Sequence, residues 1–218
     1  MKTTIVHVLG CTNAGKSTLL EAMAARPSVH LVEVGKRMRA KYLDPNSPHY
    51  EPDKFKGQAA PKETADEAWS MYEEGVAEAL GSGARLVFVD GQPRDLEQAD
   101  RIIDLAQGNA DPNVEVGFLV VTADEEVREA RLRSRFGIPD GWKDGDAVDM
   151  DLEDWNGFQL GLQRMTNDYR SNFQVLVRLL SHGIAPPVLD TSIMPLGPEG
   201  LEMMRGVVPT VWNTFVDD

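Results

Sequence analysis

Cysteine is nearly missing from this chain. Cys11 is the only one in 218 residues, which excludes an intrachain disulfide and any four-cysteine zinc site. The four histidines, His7, His30, His49 and His182, show no paired ligand spacing, so structural or solvated roles are expected of them and no zinc is expected. No run approaches the ~18 apolar residues of a membrane span. The opening "MKTTIVHVLG" enters an apolar, strand-like segment without the charged-then-apolar pattern of a signal peptide. No membrane partner is therefore expected, and the expected compartment is the cytoplasm, that of the host if the chain is viral. Positive charge is scarce as well. A net charge of -13 argues against a partner with a long phosphate backbone.

What charge there is lies unevenly. Between Gly35 and Lys62, seven basic residues face three acidic ones, whereas Asp140 to Asp154 holds seven carboxylates and one lysine. Hydrophobic residues at 42% and charged residues at 26% are ordinary for a globular chain, and the length fits a single domain. "TTIVHVLG" reads as a short buried strand ending at Gly10, and Ser17 to Ala25 as a helix stopped by Pro27. "VHLVEV" reads as a second strand, and the four prolines of "YLDPNSPHYEPDKFKGQAAP" mark an irregular excursion. Helices are expected from Lys62 to Leu80, over "DLEQADRIIDLAQ", over "DEEVREARLRSRF" and from Phe158 to Ser181; strands over "ARLVFVDG", "NVEVGFLVVTA" and "PPVLDTS". Strands alternating with helices indicate a parallel, doubly wound sheet that binds ligands at its C-terminal edge.

"GCTNAGKSTLL" identifies the ligand class. Gly10-x-x-x-x-Gly15-Lys16-Ser17 matches the phosphate-binding loop in full, between the strand and the helix that its mechanism requires. Glycines let the backbone curl so that successive N–H groups face phosphate oxygens, and the helix N-terminus adds partial positive charge. Gly10, Thr12, Asn13, Ala14, Gly15, Lys16, Ser17 and Thr18 form the expected nucleotide-binding set, with Lys16 reaching the β- and γ-phosphates and Ser17 binding Mg²⁺. A GTPase would also need Asp-x-x-Gly and Asn-Lys-x-Asp. Asp90 is followed at once by Gly91, and no Asn-Lys-x-Asp occurs.

A second motif separates the remaining branches. "VFVDGQPRDLEQAD", Val87 to Asp100, resembles the Asp-Gly-Phe-Pro-Arg-x-x-x-Gln-Ala-Asp signature of adenylate kinase and related nucleoside monophosphate kinases. The resemblance implies an α/β P-loop kinase: a three-layer α/β/α domain over residues 1–218 with a five-stranded parallel sheet. It also implies an acceptor-binding insertion at about 35–80 and a mobile lid at about 136–155. Asp90 would hold water on Mg²⁺, Arg94 would clamp the acceptor's phosphate and Gln98 would touch its base. "VGKRMRA" resembles the family's Thr-Gly-Asp-x-Leu-Arg-Ala with Gly35 and Arg39 retained, so Arg39 is a second candidate for that phosphate. "RLRSR" resembles the Arg-x-x-x-Arg that opens the lid, placing Arg131 and Arg135 near the transferring phosphoryl group. Their spacing of four puts both on one helical face, able to converge on a single target. Arg164 aligns with the arginine of the helix that leaves the lid. The catalytic set is thus Lys16, Asp90, Arg94, Arg131 and Arg135; the acceptor set Gly35, Arg39, Arg94, Gln98 and Arg164; the metal set Ser17 and Asp90.

Departures from the family pattern bear on the acceptor. Val34 stands for its threonine, Lys36 for its aspartate and Gln92 for its phenylalanine, which puts adenine in doubt as the acceptor base and leaves the ATP end intact. The expected activity is transfer of the γ-phosphoryl of ATP, with Mg²⁺, to a nucleotide, a free (deoxy)nucleoside monophosphate ahead. The alternative is a bacteriophage kinase acting on the hydroxymethyl group of 5-hydroxymethyl-deoxyuridine in DNA, for which the basic Gly35–Lys62 segment and a stacking Trp142 or Trp155 speak. That acceptor would need a general base, Asp90 first and Glu33 behind it. A non-catalytic ATP sensor is the further alternative.

Overall fold

The structure, a computed structural model, describes residues 2–51, 64–108, 111–139 and 152–216. Five strands, β1 (Thr3–Leu9), β2 (Val29–Glu33), β3 (Leu86–Asp90), β4 (Val114–Thr122) and β5 (Val188–Asp190), form one sheet in the order β2-β3-β1-β4-β5. Every pairing is parallel. Among the described residues seven helices accompany them: α1 (Lys16–Ala24), α2 (Val34–Leu43), α3 (Ala65–Gly81), α4 (Leu96–Gly108), α5 (Glu125–Arg135), α6 (Leu152–Ser181) and α7 (Pro198–Phe215). The expected five-stranded parallel α/β architecture is what the chain adopts.

Strand periodicity assigns the helices to faces. Val6, Val8, Leu86 and Phe88 pack against Leu19 and Met23 of α1 and Met204 and Val208 of α7. The alternate residues Ile5, Val87 and Val89 point the other way, onto Met38 and Tyr42 of α2 and Tyr72 of α3. Leu9 and Phe118 meet Ile102 and Ile103 of α4 and Val175 and Leu179 of α6. All seven residues of β1 are buried, as expected of the central strand in a sheet covered on both faces. A fourth cluster, Leu132, Ile138, Phe158 and Met165, joins α5 to the first half of α6. Of the expected insertion and lid, residues 52–63 and 140–151 lie outside the described residues.

Three helices differ from the sequence-based expectation, α6 by beginning at Leu152 rather than Phe158. β2 stops at Glu33, and Val34, expected as strand, already begins α2. That helix buries only Val34, Met38 and Tyr42, one residue per turn, a stripe too narrow to stand out among its four cationic side chains. α7 has no counterpart among the expected elements, because Pro209 lies inside it and Gly200 and Gly206 dilute its pattern. Gly200 is there for contact: a Cβ would fall 1.8 Å from the Pro195 carbonyl oxygen.

His7 is the exception in the central strand. It is fully buried between Tyr72 and Phe118, with ring centroids 5.6 and 5.5 Å away. Burial pushes its pKa down to about 4, against the backbone contact with Gln92, which raises it. The folded protein therefore holds a neutral imidazole, while the unfolded chain takes up a proton near pH 6.5. This contribution to stability is complete above pH 6.5 and is lost as pH falls toward 4, at about 1.4 kcal/mol per pH unit. Urea unfolding at pH 6.5 and pH 5 should show about 2 kcal/mol lost by the wild type, and a clearly smaller loss in His7→Leu. Parallel losses in the two proteins would show that His7 is not the titrating group.

Candidate active site

A cleft of about 1310 Å³ opens at the C-terminal ends of β1 and β3, where a parallel sheet gathers its loops. Of the residues expected in the site, Gly10, Thr12, Asn13, Gly15, Lys16, Ser17, Thr18, Gly35, Arg39, Asp90, Arg94, Gln98, Arg131, Arg135 and Arg164 all line it. Ala14 does not. It is buried, and its carbonyl accepts the Thr191 hydroxyl at 2.8 Å.

The loop's shape follows from its glycines. β1 ends at Gly10 because a Cβ there would lie 2.1 Å from the Val121 carbonyl oxygen, at a φ of 145°. The chain then turns through Asn13 and Gly15, both at positive φ, and enters α1 with no side-chain cap. The first amides of α1 are thus left for an anion. Lys16 folds back onto the carbonyls of Gly10 and Cys11. Burial lowers its pKa, and the Asp90 and Asp168 carboxylates oppose that shift.

Across the cleft, two guanidinium groups converge on one glycine. A Cβ on Gly35 would stand 3.4 Å from Arg39 Nη1 and 3.6 Å from Arg94 Nη2. Arg94 is steered by its Nε, which donates to the Gly91 carbonyl at 3.0 Å, and by its amide, which donates to Gln98 Oε1 at 2.7 Å. Gln98 therefore serves first to hold Arg94, and only its NH₂ group remains for a ligand. Arg164 belongs to the same charged neighbourhood: partial burial depresses its pKa most, Asp168 raises it, and Arg94 and Arg39 lower it further. Among the described residues neither Arg39 nor Arg94 has an ion-pair partner, whereas Lys36 pairs with Glu33, Arg37 with Glu78 and Lys41 with Glu67. Of the four described cations of the Gly35–Lys62 segment, three are thus spent on neighbouring carboxylates.

Arg131 and Arg135 do not converge on one target. Arg131 Nη1 donates to the Asn13 carbonyl at 3.1 Å and to Thr191 Oγ1 at 3.0 Å; its Nη2 donates to the carbonyls of Thr191 and Met194 at 2.7 and 2.9 Å. Four acceptors make it a strut between the phosphate loop and the segment after β5. Arg135, one turn on, is exposed at the cleft with no ion-pair partner among the described residues. Trp155 packs at 5.9 Å from the Phe158 ring, and Trp142 lies outside the described residues.

Sequence reasoning missed Asp168, Asn172, Thr191 and Arg128. Asp168 and Asn172 bond the loop amides of Thr12 and Gly10, and the intervals of four from Arg164 to Asp168 and from Asp168 to Asn172 were a readable signal. Thr191 is fully buried and bonds Ala14, Thr122 and Arg131; nothing in "LDTS" foretells that. Arg128 is buried too, its Nε donating to the Ala123 carbonyl at 3.1 Å. Among the described residues no group of three or more His, Cys, Asp or Glu could hold a metal ion, and no helix is long and apolar enough to cross a membrane.

A family model described as an AAA domain matches residues 9–140, from the last residue of β1 past the end of α5. No curated protein matches the chain.

The strut formed by Arg131 can be measured. Arg131→Ala removes four charge-assisted hydrogen bonds and leaves buried carbonyls unpaired, which should cost about 2–3 kcal/mol in urea unfolding. A loss below about 0.5 kcal/mol would mean that the guanidinium does not hold the loop.

Proposed function

The chain belongs to the AAA domain family of P-loop nucleotide-binding, kinase-like domains, and from that footing we propose that it is an ATP-dependent phosphotransferase whose acceptor is a free (deoxy)nucleoside monophosphate. One observation carries the reading: Arg39 and Arg94, without ion-pair partners among the described residues, converge over Gly35 in the cleft that also contains the phosphate loop. A guanidinium offers two parallel donors to a phosphate. Two of them opposite a triphosphate site hold a second phosphate where a nucleotide-binding switch would have no use for one.

Phosphoryl transfer asks mainly for positioning and charge neutralisation. The loop amides, the uncapped start of α1 and Lys16 would hold the triphosphate, and Arg135 would meet the charge that develops on the migrating group. Ser17 and Asp90 line the cleft and make no side-chain hydrogen bond among the described residues, so an oxygen-liganded Mg²⁺ fits them. When bound, that ion would neutralise charge on the β- and γ-phosphates. A monophosphate oxygen is already ionised, so no general base is required. Met38, Leu43, Ala65 and Ala68 give the acceptor side of the cleft an apolar wall on which a base can lie.

The hydroxymethyl group of 5-hydroxymethyl-deoxyuridine in DNA is the second reading. It is favoured by Asp90, whose unengaged carboxylate could take the alcohol's proton, and weakened by the pairing of Lys36, Arg37 and Lys41. Glu33, the reserve base, is the residue that Lys36 pairs with. A sensor would bind ATP without turnover.

Transfer of label from γ-labelled ATP, offered AMP, the four deoxynucleoside monophosphates and DNA containing 5-hydroxymethyluracil, separates these readings. Label is expected on a free monophosphate; label on polymer alone selects the second, and release to water alone overturns both. Arg94→Lys should raise KM for the acceptor about 100-fold while ATP affinity stays within about threefold of wild type. An unchanged acceptor KM would remove Arg94 from the acceptor site.

A further inference from the structure

The phosphate loop is not empty of negative charge. One face of α6 carries residues 164, 168 and 172 into the cleft. Asn172 Oδ1 accepts the Gly10 N–H at 3.0 Å, and Asp168 Oδ2 accepts both the Thr12 N–H at 3.1 Å and the Thr12 hydroxyl. Asn172 Nδ2 ties the pair together by donating to the Asp168 carbonyl at 2.7 Å. A carboxylate on a main-chain amide of such a loop offers the charge and the acceptor geometry that a phosphate oxygen would offer. Asp168 also acts on the loop's cation, raising the Lys16 pKa against the effect of burial. In this state Lys16 is turned onto the Gly10 and Cys11 carbonyls, so two of the loop's amides and its ammonium are engaged from within the chain.

We propose that Asp168 is a resident anion of the phosphate loop, competing with the terminal phosphate of ATP and thereby setting the affinity for ATP relative to ADP. This rests on the reading of the cleft as an ATP site. Lys16 of such a loop reaches the β- and γ-phosphates, and the Asp168 carboxylate sits on the amide and hydroxyl of Thr12 in that same loop. An arriving triphosphate must displace the carboxylate from Thr12 or bind next to it. Either course weakens binding through like-charge repulsion in a partly desolvated cleft, and more for a ligand that carries a γ-phosphate than for one that does not. Asn172 is neutral and adds no such penalty. A carboxylate that only braced the loop would act in the opposite sense, since neutralising it would loosen the loop and weaken both nucleotides alike.

Calorimetric titration with ATP and with ADP, in Mg²⁺ and without acceptor, distinguishes the two. Asp168→Asn keeps an oxygen for the Thr12 N–H and removes the charge. It should bind ATP about tenfold more tightly than wild type, and ADP no more than about twofold more tightly. Thr12→Val, which removes the hydroxyl bond to Asp168, should tighten ATP severalfold and serves if the first variant does not fold. ATP affinity that is unchanged or weaker in the folded variant, or equal gains for ATP and ADP, overturns the proposal while leaving the phosphotransferase reading standing. A wild-type protein that binds neither nucleotide takes both down together.

Discussion

Everything in the cleft is arranged around the main-chain N–H groups of the phosphate loop and of the uncapped start of α1. β1 pairs with β4 over its whole length and with β3 from Thr4 to Val8, and its exit is so close to β4 that only glycine fits at residue 10. The chain reverses through left-handed positions and starts α1 without a cap. A helix begun in this way has orphan donors and the positive end of its dipole at one point. Such a point demands an anion, and the rest of the cleft can be understood as supplying anions or managing the cations drawn to the same place.

Among the described residues six cationic side chains line the cleft: Lys16, Arg39, Arg94, Arg131, Arg135 and Arg164. They do not share one duty. Arg131 is spent on four carbonyl and hydroxyl acceptors, which fixes the loop to the segment after β5. Lys16 is turned onto carbonyls, and Asp90 and Asp168 oppose the lowering of its pKa by burial. Arg39 and Arg94 both reach over Gly35, and both lower the pKa of Arg164. Mutually repelling cations in a cleft are stabilised by an anionic ligand, so their arrangement records the charge of what they receive.

The phosphate loop was legible because it is a short contiguous stretch whose chemistry depends on local backbone. The sheet's five strands were legible for a similar reason: they are apolar, β-branched runs bounded by turn residues, even where, as in the edge strand β5, they are largely exposed. α2 and α7 were not. α2 is rich in charge and buries a single residue per turn, and α7 carries a proline and two glycines that packing on α1 tolerates. The two arginines of "RLRSR" share a helical face as their spacing requires, yet that spacing says nothing of which acceptors stand opposite each one.

By itself the sequence determined the ligand class, since a Gly-x-x-x-x-Gly-Lys-Ser turn between strand and helix binds phosphate wherever it occurs. It also determined the parallel sheet, through the alternation of buried strands with helices. Only the tertiary structure decided which charges are available. Whether a guanidinium faces a ligand or a carbonyl, and whether a carboxylate lies on a phosphate loop, depends on distances between residues more than a hundred positions apart, such as Thr12 and Asp168 or Asn13 and Arg131. No local pattern encodes those distances, because they are set by how the helices pack on the sheet.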